Sequence, residues 1–552
     1  MKRRTILKSL GLSTTALMLN KHLQGFPLDG LTSQVPAKGP FQPTWESLQN
    51  NYRTPNWFSK AKFGMWAHWG PQCQPEAGDF YARNMYVQGS KAYNIHVSKY
   101  GHPSKVGFKD VIKEWKAENW DPDALVKLYK SAGAQYFVAM ANHCDNMDLY
   151  KSKHQKNWNS TKLGPKKDII AEWSQAAKRH QLPFGVSVHA AHAWIFMETA
   201  QHADKTGPLA GVPYDGKLQK ANGAGQWWNG LDPQELYEQN HPLSENSDVD
   251  GILNKQWRWI NGASKPSQAY IKKYFDRTLD LIDSYGPDLV YFDDPILPLW
   301  PMTDDGLKIA AHLYNKSLKD HGELRAVMTM KGLDSNQRKG MVWDIERGLS
   351  NEIEPLPWQT DTCIGNWHYH RGIYESKAYK SAKTIIQMMV DIVSKNGNLL
   401  LNIPVRADGT IDEIEQGIVE EIGRWMKANS ESIYDTVPWR VFGEGPALEA
   451  IAELKREGFN EGKGKPFTAE DIRFASKGSV VYATIMGWPE SGKTKVKSLG
   501  KNSDKNGKKV ESVQLLSTKQ KLVFEQKEDA LYVTMPDNKP LEYYANALKI
   551  QC

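Results

Sequence analysis

Residues 121–145 read DPDALVKLYKSAGAQYFVAMANHCD, and this stretch decides the fold class of the chain. Its first half predicts a helix, because Asp121 and Pro122 are typical of an N-cap and a first helical turn, apolar residues recur at helical spacing, and Gly133 ends the helix. The run that follows, Tyr136–His143, is short and apolar and predicts a buried strand. A helix that leads directly into a buried strand is the repeating unit of proteins built on a parallel sheet.

The same alternation of strands and helices extends from about residue 55 to residue 430. The other predicted strands are Phe63–Trp69, Phe184–His189, Leu289–Asp293, Ala326–Met330, Met341–Ile345 and Asn398–Pro404. Seven or eight strands in a region of this length favour a (β/α)8-type barrel over an open sheet, with residues 40–436 as the catalytic barrel. The catalytic groups of such barrels lie at the carboxyl ends of the strands.

A different pattern begins at residue 437. Short alternating or β-branched runs are separated there by Gly, Asn, Asp and Pro, and they are Ser479–Met486, Val510–Leu516, Lys521–Glu525, Ala530–Met535 and Leu541–Lys549. Residues 437–552 are therefore predicted to form a C-terminal antiparallel β-sandwich. The length of 552 residues agrees with this division, since single hydrophobic cores stop growing near about 250–300 residues.

The first 25 residues have the pattern of an export signal, in which a basic start is followed by an apolar stretch, Ile6–Leu19. The pair Arg3-Arg4 is also similar to a twin-arginine signal, so the predicted location is periplasmic or secreted, with an ordinary amphipathic helix as the alternative. Five basic and no acidic residues precede residue 23, so cleavage there would lower the net charge from +7 to +2. A nearly neutral protein lacks the basic surface that nucleic-acid binding requires. No later apolar run is long enough to span a membrane.

The ends of the predicted strands carry histidines, carboxylates and aromatic residues. They include His68, His143, Cys144, His189, Tyr291, Asp293 and Glu346. Histidines and aromatic rings suit a sugar, because hydroxyl groups need paired donors and acceptors while the apolar face of the ring needs a stacking partner. Two carboxylates on separate strands suit cleavage of a glycosidic bond, in which one attacks and the other protonates the leaving oxygen.

A metal-dependent barrel enzyme is the alternative chemistry. Its ligands could be His68, His143, Asp145 and His189, although no H-x-x-x-H or H-x-H pair lies on one element. The four cysteines are too few and too scattered for a disulfide framework or a C-x-x-C zinc site. The glycine motifs of nucleotide-binding folds are absent from the sequence.

Seven segments of the chain form a distinctive series. They are WFSKAKFGMWAHWGP (57–71), GDFYARNMY (78–86), NHCD (142–145), NWNSTKLGPKKD (157–168), DLVYFDD (288–294), PWQTDTCIGNWHY (357–369) and SKNGNLLLNIPVRADGTI (394–411). In this order they resemble the α-L-fucosidases of glycoside hydrolase family 29, from about residue 45 to residue 435. The resemblance implies a retaining exo-glycosidase that removes terminal α-L-fucose from fucosylated oligo- or polysaccharides and needs neither a metal nor an organic cofactor.

The resemblance also assigns site residues. The family's nucleophile, an Asp at the end of the fourth strand, falls on Asp293, and its acid/base falls on Glu346, with Glu352 and Glu354 as alternatives. The sugar contacts of the family fall on His68, Asp79, Phe80, His143, Tyr291 and Trp367. The competing interpretation of Glu346 is a structural pairing with an arginine such as Arg347.

Three residues depart from the family pattern. Cys144 replaces the second histidine of a pair, His189 lies where a tyrosine-rich strand is usual, and Lys331 lies where an arginine is common. Since these positions are predicted to touch the sugar, an α-L-galactosidase on the same scaffold is one alternative function and a catalytically silent sugar-binding barrel is another. The long insertion at residues 201–248 is predicted to shape the subsites beyond the fucose.

Overall fold

The computed structural model describes residues 36–249, 251–448, 458–503 and 509–552. The predicted export signal, residues 1–25, lies outside them. Within the described residues, eight parallel strands close into a barrel in chain order. They are Phe63–Ala67 (β1), Tyr136–Asn142 (β2), Phe184–Val188 (β3), Leu289–Pro295 (β4), Val327–Lys331 (β5), Val342–Glu346 (β6), Trp358–Cys363 (β7) and Gly397–Asn402 (β8).

Helices connect the strands and cover the outside of the barrel. Those described are Trp45–Asn51 (α1), Asn56–Ala61 (α2), Tyr81–Asn84 (α3), Lys91–Lys99 (α4), Phe108–Glu114 (α5), Pro122–Ser131 (α6), Ile169–Arg179 (α7), Ala193–Phe196 (α8), Gln234–Tyr237 (α9), Ile252–Gln256 (α10), Gln268–Tyr285 (α11), Asp305–His321 (α12), Arg371–Ser376 (α13), Ala382–Ser394 (α14) and Glu413–Asn429 (α15). The predicted cap of α6 is present, because the Asp121 carboxylate accepts a hydrogen bond from the Ala124 N–H at 3.0 Å. Among the helices that the structure describes, none has the length and apolar composition needed to cross a membrane.

The chain after the barrel forms two antiparallel sheets. Their strands are Val437–Glu444 (β9), Ile472–Lys477 (β10), Val480–Ile485 (β11), Lys493–Val496 (β12), Ser512–Leu515 (β13), Gln520–Lys521 (β14), Phe524–Gln526 (β15), Leu531–Thr534 (β16) and Asn546–Gln551 (β17). One sheet has the order β14-β13-β17-β11-β10-β9 and the other the order β12-β16-β15. The predicted fold class, a (β/α)8-type barrel followed by a C-terminal antiparallel β-sandwich, is confirmed.

The sequence patterns do not predict four of these strands, β7, β9, β10 and β12. Strand β7 reads WQTDTC, and its polar residues are buried as completely as its apolar ones, so no alternation marks it as a strand. Strand β9 has no buried residue, and β12 lies in a lysine-rich stretch that resembles a solvated loop. In each case tertiary contacts hold an extended segment whose local pattern is weak.

Alternation along the barrel strands sorts side chains between two cores. Leu289 and Tyr291 of β4 pack in the barrel interior, whereas Val290 and Phe292 pack in the larger core that includes the helices. Strand β6 has the same phase, with Val342 in the interior. This alternation, with every second residue pointing into the barrel, determines which side chains at the strand ends face the mouth of the barrel.

A buried ion cluster joins the barrel to the six-stranded sheet. The Asp391 carboxylate of α14 pairs with Lys395 Nζ at 2.6 Å and with Arg473 Nε of β10 at 2.5 Å, and all three side chains are buried. Burial alone would raise the pKa of Asp391, but the charges of Lys395 and Arg473 hold this pKa below its usual value.

We expect Asp391→Ala to lower the free energy of unfolding by about 3–5 kcal/mol, because two buried cations would lose their counter-ion. Urea denaturation followed by fluorescence measures this change. Asp435→Ala is the matched control, since Asp435 pairs with Lys60 and Lys477 at the surface and its loss should matter far less. Equal effects of the two substitutions would contradict the assignment.

Candidate active site

One cavity opens at the carboxyl ends of the barrel strands. It has a volume of about 760 Å³ and is lined by residues of several strands and of the segments that follow them. The lining residues are Trp66, His68, Asp79, Phe80, His143, His189, Asn254, Lys255, Trp257, Arg258, Ile260, Tyr291, Asp293, Pro295, Lys331, Gly332, Glu346, Arg347, Asp361, Trp367, His368 and Phe459. Of the ten predicted site residues, the cavity brings together all except Cys144.

Two adjacent aspartates at the end of β4 point in different directions. Asp293 continues the interior phase of Leu289 and Tyr291 and lines the cavity. Asp294 is buried on the other side, with its carboxylate 3.3 Å from His192 Nδ1. The pairing of β4 with β5 is irregular between Tyr291 and Pro295, which is typical of strands that aim a side chain into an active site.

Lys331 connects the two predicted catalytic carboxylates. Its Nζ contacts the Asp293 carboxylate and the Glu346 carboxylate. Since both acids reach the same nitrogen, their nearest oxygens lie no further apart than about twice one hydrogen-bond length, roughly 5 Å. Glu346 is therefore paired with a lysine at the floor of the cavity and not with Arg347.

The two carboxylates have pKa values that differ in opposite directions from their ordinary values. For Asp293, burial would raise the pKa, but the Lys331 ammonium and the His189 imidazole, whose Nδ1 lies 3.5 Å from the carboxylate, outweigh burial and hold this pKa well below its usual range. For Glu346, burial together with the charges of Asp293 and Asp361 raises the pKa to about 7, although Lys331 opposes the change. At neutral pH, one group is ionised and the other retains its proton in a substantial fraction of molecules.

Four histidines line one side of the cavity, His68, His143, His189 and His368. Both ring nitrogens of His68, Nδ1 of His189 and Nε2 of His368 are buried and have no hydrogen-bond partner among the described residues. Burial, reinforced by the neighbouring imidazoles, lowers the pKa of His68 and of His143 well below the usual value. Neutral imidazoles can both donate and accept, so these groups are available for ligand hydroxyls.

The histidines are held by hydrogen bonds from the surrounding strands. His143 Nδ1 lies 2.8 Å from Gln72 Nε2, and His189 Nε2 lies 3.1 Å from Ser187 Oγ. The backbone N–H of His68 donates to Asn402 Oδ1 of β8 at 2.8 Å. These contacts fix the orientation of the rings towards the cavity.

Aromatic rings and one aspartate complete the wall. Trp66 packs against Tyr291 and Trp367, with ring centroids 4.9 Å and 5.3 Å apart. The Asp79 carboxylate accepts the backbone N–H groups of Trp367 and His368 at 3.3 Å and 2.8 Å, so it positions the segment that carries both rings. The wall is therefore apolar on the tryptophan side and polar on the histidine side.

The prediction that Cys144 contacts the sugar is wrong for this structure. Its side chain is buried behind the cavity wall, where Sγ donates to the His189 carbonyl oxygen at 3.2 Å. Cys144 lies in the turn that follows β2, and there its side chain points to the His189 backbone and not into the cavity. Cys144 thus supports the backbone of His189 instead of presenting a polar group to a ligand.

Two alternatives for the acid lie outside the cavity. Glu354 is buried against Arg338 and Ser350, to which its carboxylate is bonded at 3.0 Å and 2.6 Å. Glu352 is exposed and does not line the cavity. Neither side chain is placed to protonate a ligand bound beside Asp293.

The predicted metal ligands do not all converge. His68, His143 and His368 have nitrogen atoms within 4.8 Å of one another and could reach one ion. Asp145 does not belong to this group, since it is turned towards the Met147 N–H, which donates to it at 3.1 Å. The four metal ligands predicted from the sequence are therefore corrected. Asp145 and His189 are removed, His368 is added, and the set becomes His68, His143 and His368.

Several residues that line the cavity were not predicted from the sequence. His368 directly follows Trp367 in the NWHY segment, so the family motif could have indicated it. Trp257 stacks on His192 with centroids 3.8 Å apart and donates from Nε1 to the Asp293 carbonyl oxygen at 3.3 Å. It belongs to the segment after α10, whereas the insertion at residues 201–248, which was predicted to shape the subsites, contributes no lining residue.

Comparison with protein-family models gives two matches. The model of alpha-L-fucosidase matches residues 31–431, and that of the alpha-L-fucosidase C-terminal domain matches residues 465–551. The chain belongs to the alpha-L-fucosidase family. Among the relatives of this fucosidase-family chain, tissue alpha-L-fucosidase of Rattus norvegicus is 26% identical over 466 residues, which is 83% of this chain and 81% of the relative. The Homo sapiens tissue alpha-L-fucosidase is 25% identical over 460 residues, or 82% and 79% of the two chains.

Solved structures of fucosidases share the fold. A Thermotoga maritima alpha-L-fucosynthase in complex with a fucosyl disaccharide azide superimposes with a TM-score of 0.67 at 21% identity, covering 93% of this chain and 100% of that one. A Bacteroides thetaiotaomicron alpha-L-fucosidase described as a trapped covalent intermediate gives 0.56 at 17% identity, covering 96% and 100%. The prediction of a glycoside hydrolase of the alpha-L-fucosidase type is thus confirmed at the level of the family.

Proposed function

We propose that this enzyme hydrolyses terminal α-L-fucosyl residues of oligo- or polysaccharides with retention of configuration, through a covalent glycosyl-Asp293 intermediate. The observation that carries the proposal is the position of Asp293 and Glu346 on either side of Lys331 Nζ at the floor of the cavity. This contact keeps the nearest oxygens of the two carboxylates within about 5 Å of each other, which supports the short separation of retaining enzymes, about 5–5.5 Å, over the about 6.5–9.5 Å that inverting enzymes need to admit a water.

In the first step, the Asp293 carboxylate attacks the anomeric carbon while the bond to the leaving oxygen breaks. Glu346 gives its proton to that oxygen, so the aglycone leaves as a neutral alcohol and Glu346 becomes a carboxylate. Lys331 keeps Asp293 ionised before attack and stabilises the charge that appears on Glu346. The lysine therefore acts on both charges that change during the step.

In the second step, the Glu346 carboxylate removes a proton from a water molecule, and the oxygen of this water attacks the anomeric carbon. The bond between the sugar and Asp293 breaks, which releases fucose and regenerates both acids in their starting protonation states. Two inversions at the same carbon restore the original anomeric configuration.

The cavity wall suits a deoxysugar with one polar and one apolar side. The unpaired nitrogens of His68 and His368, with His143, can bond ring hydroxyls. Trp66 and Trp367 offer an apolar surface to the C5 methyl group that distinguishes fucose from L-galactose. Because Cys144 is not part of the wall, its exchange gives no separate support to the galactosidase alternative.

The pH dependence of kcat/KM should follow Glu346. A general acid must be protonated, and the pKa of Glu346 is raised to about 7, so kcat/KM should fall above about pH 7 and stay level on the acidic side until Asp293, with its depressed pKa, is reached. Initial rates on 4-nitrophenyl α-L-fucoside across pH 4–10 measure the profile. The basic limb should disappear in Glu346→Gln, and a limb that persists unchanged would assign the titration to another group.

The function itself is tested with paired substrates, 4-nitrophenyl α-L-fucoside and the corresponding α-L-galactoside, each with and without EDTA. Faster hydrolysis of the fucoside that is unaffected by EDTA is the expected result. Preference for the galactoside would contradict the proposed glycone. Loss of activity in EDTA would transfer the mechanism to a metal held by His68, His143 and His368, and no hydrolysis of either substrate would favour a sugar-binding barrel.

A further inference from the structure

The mouth of the cavity carries three cationic side chains, Lys255, Arg258 and Arg347. Lys255 and Arg258 are exposed and Arg347 is half-buried. None of them forms an ion pair with any residue that the structure describes. Three like charges at one opening, without a counter-ion among the residues that the structure describes, create a positive potential at the mouth that attracts anions.

The acids at the cavity floor do not neutralise this charge. Asp293 and Glu346 are bonded to Lys331, and Asp361 accepts a hydrogen bond from the Tyr291 hydroxyl at 2.7 Å. Asp79, the fourth acid of the lining, accepts two backbone N–H groups. These acids are thus engaged in the catalytic centre. The positive charge at the mouth remains available to a ligand that enters from solvent.

Lys255 and Arg258 lie at the end of α10 and just after it, and Arg347 directly follows β6. Two segments from different parts of the chain form the mouth around these cations. The first follows α10 and is anchored by Trp257, which stacks on His192. The second is residues 458–461, which lie between β9 and β10 and bond to the end of β6. Its N–H groups at Phe459 and Glu461 donate to the carbonyl oxygens of Glu346 and Arg347 at 2.8 Å and 3.0 Å. The mouth is therefore held in place by hydrogen bonds, and part of its backbone comes from the chain after the barrel.

Each segment also presents an apolar side chain to the same opening. Ile260 is 53% exposed and Phe459 is 58% exposed, and both line the cavity. Apolar side chains that are exposed together at the rim of a cleft, among polar residues, are typical of a ligand-binding surface. An aromatic or aliphatic surface next to cations fits a sugar ring that bears a negative group.

We propose that the aglycone site at this mouth binds a sugar that carries an anionic substituent, a sulfate or a carboxylate. The ring packs against Ile260 and Phe459, and the anion pairs with Arg258 and Lys255, or with Arg347, which lines the same mouth. A guanidinium group matches the planar pair of oxygens on either anion. This inference rests on the proposed fucosidase activity and adds the class of glycan from which fucose is removed.

The test uses three aryl α-L-fucosides with leaving groups of similar size and acidity, 4-hydroxybenzenesulfonate, 4-hydroxybenzoate and the neutral 4-hydroxybenzamide. Aryl groups avoid any dependence on glycosidic linkage. We expect kcat/KM for the anionic fucosides to exceed that for the amide by about tenfold at low salt, and this advantage should shrink as ionic strength rises. A preference for the sulfonate over the carboxylate identifies sulfated glycans as the source, and the reverse identifies uronic or sialic acids.

Substitutions of the mouth residues test whether these residues cause the preference for anionic fucosides. Arg258→Gln and Lys255→Gln should each lower the ratio of anionic to neutral kcat/KM by about three- to tenfold. Lys319→Gln, at an exposed position of α12 that does not line the cavity, should leave the ratio unchanged. Hydrolysis of all three fucosides at equal rates, or a ratio that no mouth variant alters, would overturn this inference and leave the fucosidase assignment standing. No hydrolysis of any of them would overturn both.

Discussion

Asp293→Gly is expected to lower kcat on 4-nitrophenyl α-L-fucoside by about 10⁴-fold or more, because the variant lacks the atom that forms the bond to the anomeric carbon. The substitution removes a side chain at the cavity floor and leaves the core packing of Tyr291 and Phe292 in place. Circular dichroism should therefore remain that of the parent enzyme. Azide, a small external nucleophile, should enter the space of the missing carboxylate, restore turnover and give the β-L-fucosyl azide.

Asp294→Asn is the matched control for this experiment. Asp294 adjoins the nucleophile in sequence, but its carboxylate is buried against His192, and burial together with the charge of Asp293 raises its pKa well above the usual value. A neutral amide is thus a close substitute, and we expect the variant to lose far less activity than Asp293→Gly. A larger loss in Asp294→Asn, with turnover retained in Asp293→Gly, would exchange the two assignments.

Glu346→Gln should have the second-largest effect, and its size should depend on the leaving group. General acid catalysis contributes about 10²–10⁴-fold, and this contribution is needed most when the leaving oxygen is basic. We expect kcat/KM to fall by about 10³-fold for a fucosylated oligosaccharide and by less than tenfold for 2,4-dinitrophenyl α-L-fucoside, whose leaving group departs without a proton. Michaelis–Menten kinetics on the two substrates measure the difference.

Glu354→Gln and Glu352→Gln are the controls for Glu346. Both residues lie outside the cavity, and Glu354 is engaged with Arg338 and Ser350. Their substitution should affect the two substrates equally, since neither carboxylate reaches the glycosidic oxygen. A leaving-group-dependent loss in one of these variants, and not in Glu346→Gln, would move the acid to that position.

The barrel and the direction of its key side chains follow from local pattern. Once Leu289–Asp293 is interpreted as a strand, the period of two places Asp293 with Tyr291 in the interior and Asp294 on the opposite side. The same argument applies to Glu346 in β6. Helix caps such as Asp121 are equally local, because they depend on residues three positions apart. These features could be predicted since each depends on a short window of sequence.

Features that depend on long-range contacts could not be predicted in this way. Strand β7 is buried and polar because Gln359 bonds to Asp344 at 2.7 Å and Asp361 bonds to Tyr291 inside the barrel. The bridge made by Lys331 needs β4, β5 and β6 to be brought together. Phe459 reaches the cavity from a segment beyond the barrel, and nothing in its neighbouring residues indicates a role in the site.

The resemblance to the family also misplaced one residue for a physical reason. A motif gives the order of residues in the chain, but it does not state which of two neighbouring side chains faces the cavity. Cys144 is small and apolar enough to be buried, so it packs beneath His189, while His143 alone faces the cavity. The effect of such a departure is therefore structural support and not a lost sugar contact.

In the proposed mechanism, Asp293 and Glu346 cleave an α-L-fucoside by double displacement. Proton NMR of the hydrolysis of 4-nitrophenyl α-L-fucoside tests it most directly, because the anomeric signal of the first sugar released can be observed before mutarotation. We expect α-L-fucose to appear first and the β-anomer only later. Initial release of β-L-fucose would show a single displacement by water and would contradict the proposed roles of both carboxylates.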